Sequence, residues 1–219
     1  MIRVALVDDS EMLRTGFALI IDNEADMSVV AMASTGLEAI EVCASRRVDV
    51  VLMDIRMPEM DGLEATARLM EMTEPPHVLV LTTFGLDEYV SRAIAVGASG
   101  FLLKDASADA LIAAVRSVAS GDSVLSPAVT RLVLDQARQS GAAAKSADVP
   151  GIDELTDRER DVLQQLASGK SNAEIAAALF LSEATVKTYL GRVLAKLGVR
   201  DRVQAVIAAF RAGLAEPSD

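Results

Sequence analysis

Four short apolar runs each end on a polar residue, and those polar residues together have the chemistry of a phosphate site. Ala5-Leu6-Val7 runs into Asp8 and Asp9, and Val50-Val51-Leu52-Met53 into Asp54. Val78-Leu79-Val80-Leu81 runs into Thr82, and Phe101-Leu102-Leu103 into Lys104. Three carboxylates, a hydroxyl and an ammonium sharing one crevice would hold a magnesium ion and a phosphoryl group. A carboxylate attacking phosphorus meets charge repulsion, so cations must neutralise the phosphoryl oxygens. Magnesium does this from oxygen ligands, and Lys104 supplies a compact charge from another side. Thr82 offers one hydroxyl hydrogen bond. Asp54 is the best nucleophile, because it ends the strand expected at the centre of the sheet.

The elements that must position these groups are legible in the same stretch. Continuous apolar runs followed by helical patterns read as buried parallel strands, and an open parallel sheet binds ligands at its carboxyl ends. Strands are predicted near 3–8, 28–33, 48–54, 77–82 and 100–104, and helices near 10–22, 36–46, 62–72, 87–96 and 108–120. Helix starts are marked by a Thr35…Glu38 capping box and by Ser107, and helix stops by Gly97 and Gly121. Right-handed crossovers then wrap helices onto both faces of the sheet. The expected N-terminal domain, 1–122, is α/β: a five-stranded, parallel, doubly wound sheet of the flavodoxin or CheY-like kind.

A helix is expected near 127–139, and the small, polar run from Gly141 to Pro150 reads as flexible, making 123–150 a linker. From 151 to 216 the pattern is all-α. Capping boxes at Thr156…Glu159 and Ser171…Glu174 start two helices. Asn172–Leu179, a turn at Phe180-Leu181-Ser182 and a longer helix over Glu183–Leu197 form a helix-turn-helix, and a last helix runs from about Arg202 to Ala212. Val186, Val193, Leu194 and Leu197 give the longer helix a core face. The last helix carries an apolar stripe of Val203, Val206, Ile207 and Phe210.

Charge separates the two halves. Residues 1–122 have a net charge of −11, 123–150 of +1 and 151–219 of −1, while 182–211 alone is +4. So acidic a chain does not bind nucleic acid indiscriminately, and any contact with DNA belongs to that basic stretch. No apolar run reaches the length of a membrane span, and Met1-Ile2-Arg3 leads straight into a strand without a signal peptide. The single cysteine, Cys43, excludes an internal disulfide and suits a reducing cytoplasm. It reads as core packing, and the single histidine, His77, reads as structural.

The segments Asp8-Asp9, Asp54 to Gly62, Thr82 and Ser99 to Lys104 resemble, in order and spacing, the receiver domain of bacterial two-component response regulators. Those at Leu155 to Arg160, Ser171 to Ala176, Leu181 to Lys187 and Lys196 to Val199 are similar to the LuxR-type DNA-binding domain. Together they look like a full-length response regulator of the NarL/FixJ class. The resemblance implies that Asp54 accepts phosphate from a sensor histidine kinase. It implies magnesium held by Asp9, Asp54 and the backbone carbonyl of Arg56, with Asp8 supporting through water. Thr82 would swing toward the phosphate and Phe101 would turn inward behind it. Lys187, Thr188 and Gly191 would face bases, with Gly191 offering no side chain to read with. Tyr189 would pack against sugar or backbone, and Arg192, Lys196 and Arg200 would meet phosphates. The stripe on the last helix would be shared with a second copy in a homodimer formed on phosphorylation. Promoter DNA, and RNA polymerase beside it, are the further partners implied, and the receiver would catalyse only its own phosphorylation and dephosphorylation.

A phosphatase using Asp54 covalently is the alternative for the N-terminal half. The haloacid dehalogenase pattern would want a second Asp two residues on, where Arg56 stands. A receiver acting only through protein partners is opposed by the motifs of the second domain.

Overall fold

The computed structural model describes residues 1–82, 89, 92, 93, 95–121 and 149–214. The expected helix at 127–139 and the linker before residue 149 lie outside them, as does half of the 87–96 helix, of which Tyr89, Arg92, Ala93 and Ala95 are helical. The chain divides into two compact units, one within Met1–Leu125 and one within Ser126–Asp219.

In the first unit β1 (Ile2–Val7), β2 (Met27–Ala33), β3 (Val50–Asp54), β4 (His77–Thr82) and β5 (Gly100–Leu103) form one parallel sheet in the order β2-β1-β3-β4-β5. Strand order reverses between β1 and β3, and such a switch point leaves a crevice at the carboxyl edge. Asp54 pairs with Leu81 and Thr82 with Leu103, so all the polar strand ends reach the same edge. Four helices are described here: α1 (Glu11–Asp22), α2 (Gly36–Ser45), α3 (Gly62–Met70) and α4 (Ala108–Ala119). Val4, Leu6, Leu52, Leu79 and Leu81 meet Ala18 and Ile21 of α1 and Leu111, Val115 and Val118 of α4 in one core. The alternate strand residues Ala5, Val7, Val51, Met53, Val78 and Val80 are equally buried and point to the opposite face.

One capping detail departs from expectation. Thr35 accepts from the Glu38 amide, but the Glu38 carboxylate takes the amide and hydroxyl of Ser34 rather than the amide of Thr35. Ser34 offers two donors where the predicted box offers one. Cys43 is half-buried, and burial pushes its thiol up to about 11, so it is not a thiolate at neutral pH.

The second unit holds a 3₁₀ turn (Ile152–Glu154), α5 (Asp157–Ala167), α6 (Asn172–Leu179), α7 (Glu183–Leu197) and α8 (Arg202–Arg211). Both capping boxes are formed, at Thr156–Glu159 and Ser171–Glu174. Val186, Leu190, Val193 and Leu197 bury one face of α7 at alternating spacings of four and three. Leu190 belongs to that face and Leu194, expected there, is only half-buried. Phe180 ends α6 in the left-handed region (φ 57°) with its ring 95% exposed. Gly151 also has positive φ (76°), and a Cβ there would overlap the Lys196 carbonyl oxygen. Among the described residues no helix is long and apolar enough to cross a membrane.

Candidate functional site

At the carboxyl edge of the sheet, Asp8, Asp9 and Asp54 bring carboxylate oxygens within 4.8 Å of one another. Asp8 and Asp54 are buried and Asp9 is exposed. Lys104 Nζ stands 2.7 Å from Asp8 Oδ2 and 2.8 Å from Asp54 Oδ2. Burial lifts the Asp54 pKa; Lys104 works against that and the Asp8 charge adds to it. Burial also disfavours the Lys104 ammonium, but its bonds to Asp54 and Asp8 outweigh this and its pKa is raised. Two of the three carboxylates thus share one ammonium and Asp9 stands beside them, leaving an excess of negative charge on hard oxygen donors. That donor set fits a magnesium ion.

The backbone around the crevice is held from several sides. Ser10 caps α1 and gives its amide to Asp8 Oδ1 at 2.9 Å. Arg14 Nη1 donates to the Asp8 carbonyl at 2.5 Å. The Lys104 amide donates to the Thr82 carbonyl at 2.9 Å, tying β5 to β4 beside the site. Behind Asp54, the Gly62 amide donates to the Ile55 carbonyl at 2.9 Å, and a Cβ on Gly62 would overlap the Asp54 carbonyl oxygen. Only glycine lets α3 begin so close to that strand. A cavity of about 660 Å³ beside Arg46, Arg47 and His77 opens at the amino edge of the sheet, away from these carboxylates. Strand polarity, not cavity size, selects the site.

In the second unit, Ser182 caps α7 by accepting from the Thr185 amide, and its hydroxyl lies 2.8 Å from that of Thr185. Lys187, Thr188, Gly191 and Arg192 are exposed on α7. The Thr188 hydroxyl donates to the Ala184 carbonyl at 3.0 Å. The Arg192 guanidinium lies over the Tyr189 ring, 5.9 Å from its centroid. Ala184, Thr185, Thr188, Tyr189 and Arg192 line a shallow notch of about 340 Å³.

Residues 4–116 match the response regulator receiver domain, and residues 153–209 match the luxR family of bacterial regulatory proteins. This chain is a LuxR-family response regulator. Among its relatives are the transcriptional regulatory proteins LnrK and LiaR of Bacillus subtilis. LnrK is 38% identical over 98% of this chain and 99% of its own length, and LiaR 39% over 96% and 98%. The crystal structure of ChrA, the response regulator of a heme-sensing two-component system, is 39% identical. It covers 97% of this chain and 98% of its own, with a TM-score of 0.52. The family is one of transcriptional regulators of two-component systems rather than of conventional enzymes.

Against that background, several residues of the regulator stand differently from the sequence expectation. Lys196, expected at a phosphate, donates to Glu159 Oε2 at 2.6 Å and to the Glu154 carbonyl at 2.9 Å. Glu159 is buried, and its carboxyl is held down to about 2, first by Lys196 and then by the Thr156 amide. Arg200 is largely buried, its Nε 3.2 Å from Asp201, and burial lowers its pKa. Both cations are committed within their own domain, because buried Glu159 and Asp201 need partners. Val203 and Val206 are fully buried in that domain's core, leaving only Ile207 and Phe210 of the stripe half-buried. Phe101 is buried, at 6% exposure. The Arg14 bond to the Asp8 carbonyl and the closeness of Gly62 to Asp54 add to the expected site residues. Arg14 lies one helical turn past the Ser10 cap, a signal that was available, whereas the carbonyl overlap needs three-dimensional register.

Proposed function

We propose that Asp54 accepts a phosphoryl group from a histidine of a sensor kinase, and that phosphorylation controls dimerisation and promoter binding. The observation that carries this reading is the cluster of Asp8, Asp9 and Asp54 around Lys104 at the β1/β3 switch point. An oxygen of the Asp54 carboxylate attacks phosphorus and the P–N bond to the donor histidine breaks. Its electron pair returns to the imidazole, which takes up a proton. Burial, the leading cause of the raised Asp54 pKa, also strips water from the carboxylate oxygens that attack. Asp9, Asp54 and the Arg56 backbone carbonyl would hold magnesium, with Asp8 supporting through water. That ion supplies positive charge against the phosphoryl oxygens. Lys104 moves its ammonium onto the phosphoryl group, Thr82 donates its hydroxyl to one of its oxygens, and buried Phe101 repacks behind Thr82. Attack by water on the acyl phosphate frees Asp54 again, so the receiver resets itself.

On the DNA side, Lys187, Thr188 and Gly191 face base edges in the major groove and Arg192 meets a phosphate. Ile207 and Phe210 are the remaining candidates for contact with the second copy, and RNA polymerase is the partner at the promoter. The receiver is taken as 1–122, the linker as 123–150 and the DNA-binding domain as 151–216; the matched ranges fall inside these limits and support them. The compartment that brings kinase, promoter and polymerase together is the cytoplasm.

The test compares wild type and Asp54→Asn on promoter duplex, each with and without acetyl phosphate and magnesium. Only donor-treated wild type should gain phosphoryl mass and tighten on DNA. Equal affinity in all four conditions refutes control by phosphorylation.

A further inference from the structure

We propose that Tyr189 is a positioning residue that holds Arg192 as a preformed clamp for a DNA phosphate beside the notch on α7. The inference rests on the DNA-binding reading above and adds a role for the aromatic ring within it. Residues three apart on a helix share a face, and here the guanidinium lies 5.9 Å from the ring centroid. A cation within about 6 Å of an aromatic face is attracted by the ring quadrupole, and Arg is the side chain most often found there. Arg192 is exposed, and the next residue toward the N-terminus, Gly191, has no side chain to crowd it. A long side chain of this kind would otherwise sample many rotamers, and ordering it on binding weakens affinity. The ring restricts that sampling before DNA arrives.

The notch gives the clamp its direction. The Thr188 hydroxyl donates to the Ala184 carbonyl, and the Thr185 hydroxyl lies within hydrogen-bond distance of Ser182 Oγ. The threonine hydroxyls lining the notch are thus engaged within the helix, and Arg192 is the cation among its lining residues. A backbone phosphate running along the groove wall meets a guanidinium already in place.

The experiment uses the full chain, treated with acetyl phosphate and magnesium, on a duplex enriched by that protein from a randomised pool. Tyr189→Leu should weaken binding about two- to fivefold, the range for an exposed cation–π pair. Tyr189→Phe, which keeps the ring, should bind as wild type. In an Arg192→Met background Tyr189→Leu should have no further effect. Arg192→Met alone should lower the slope of log affinity against log salt by about 0.9, the signature of one lost phosphate contact. An additive double mutant, or a Phe variant as weak as Leu, overturns the positioning role. An unchanged salt slope for Arg192→Met with loss confined to one base pair overturns the phosphate assignment in favour of a base edge. Failure to enrich any duplex overturns the DNA-binding reading itself, and this inference with it.

Discussion

Lys196→Met separates an architectural lysine from a DNA-contacting one. Lys196 Nζ is 2.6 Å from Glu159 Oε2, and it is the leading reason that the buried Glu159 carboxyl is held down from 4.5 to about 2. A shift of that size corresponds to roughly 3 kcal/mol of stability at neutral pH. The Thr156 amide supplies part of it and the Lys196 side chain is 30% exposed, so the lysine's share is about 1–2 kcal/mol. Because the folded pKa is depressed, this stabilisation is fully present above the unfolded value and disappears as pH falls toward about 2. Hydrogen exchange read by mass spectrometry on the full chain, over peptides from α5 and α7, should show Lys196→Met opening more easily by that amount. The gap from wild type should narrow as pH is lowered from about 6 to about 3. In parallel, the salt slope of promoter binding should stay as in wild type, since no phosphate contact is removed. Unaltered exchange together with a slope reduced by about 0.9 would return Lys196 to the DNA interface and refute the argument.

The other expectations concern the receiver and the turn before α7. Asp54→Asn should make the receiver more stable at neutral pH, because a buried carboxylate whose pKa is raised opposes folding when ionised. Its stability penalty grows as pH rises through the raised value, so the difference in thermal midpoint should vanish toward about pH 3; a gap that widens there contradicts the sign. Gly62→Ala should cost roughly 3 kcal/mol, the upper range for overpacking, and slow acetyl phosphate labelling of Asp54, since the new Cβ displaces the Asp54 carbonyl. Normal melting and normal labelling would mean that α3 can shift freely. Phe180→Gly should stabilise the DNA-binding domain by about 1 kcal/mol, relieving a left-handed aromatic residue whose ring packs on little. A lowered midpoint in urea would mean the ring has a hidden partner.

Much of this was readable from the chain because the signals were local. Each strand is an apolar run ended by one polar residue, so the acidic crevice follows once parallel order is assumed, and Ser107, Thr156, Ser171 and Ser182 announce their helices by short-range bonding. Long-range pairing left no such trace. Lys196 and Arg200 lie in a basic stretch and look like phosphate contacts in any linear reading. What also engages them in this structure is Glu159, 37 positions away in the chain from Lys196, and the buried carboxylate of Asp201 beside Arg200. Val203 and Val206 likewise share one helical spacing with Ile207 and Phe210, and only packing against the rest of the domain divides the buried pair from the half-open one. The Glu38 shift to Ser34 is a competition between adjacent donors that a spacing rule cannot rank.

The close approach at Gly151 bears on how the DNA-reading half can be cut free for separate work. Its backbone lies against the Lys196 carbonyl while Glu154, three positions on, accepts from the Lys196 ammonium, so this short stretch before the first full helix is a seat for the end of the reading helix. A fragment beginning at Thr156 would keep every α-helix yet unseat that end, and shortened versions should start well upstream of residue 151 to behave as the intact regulator does.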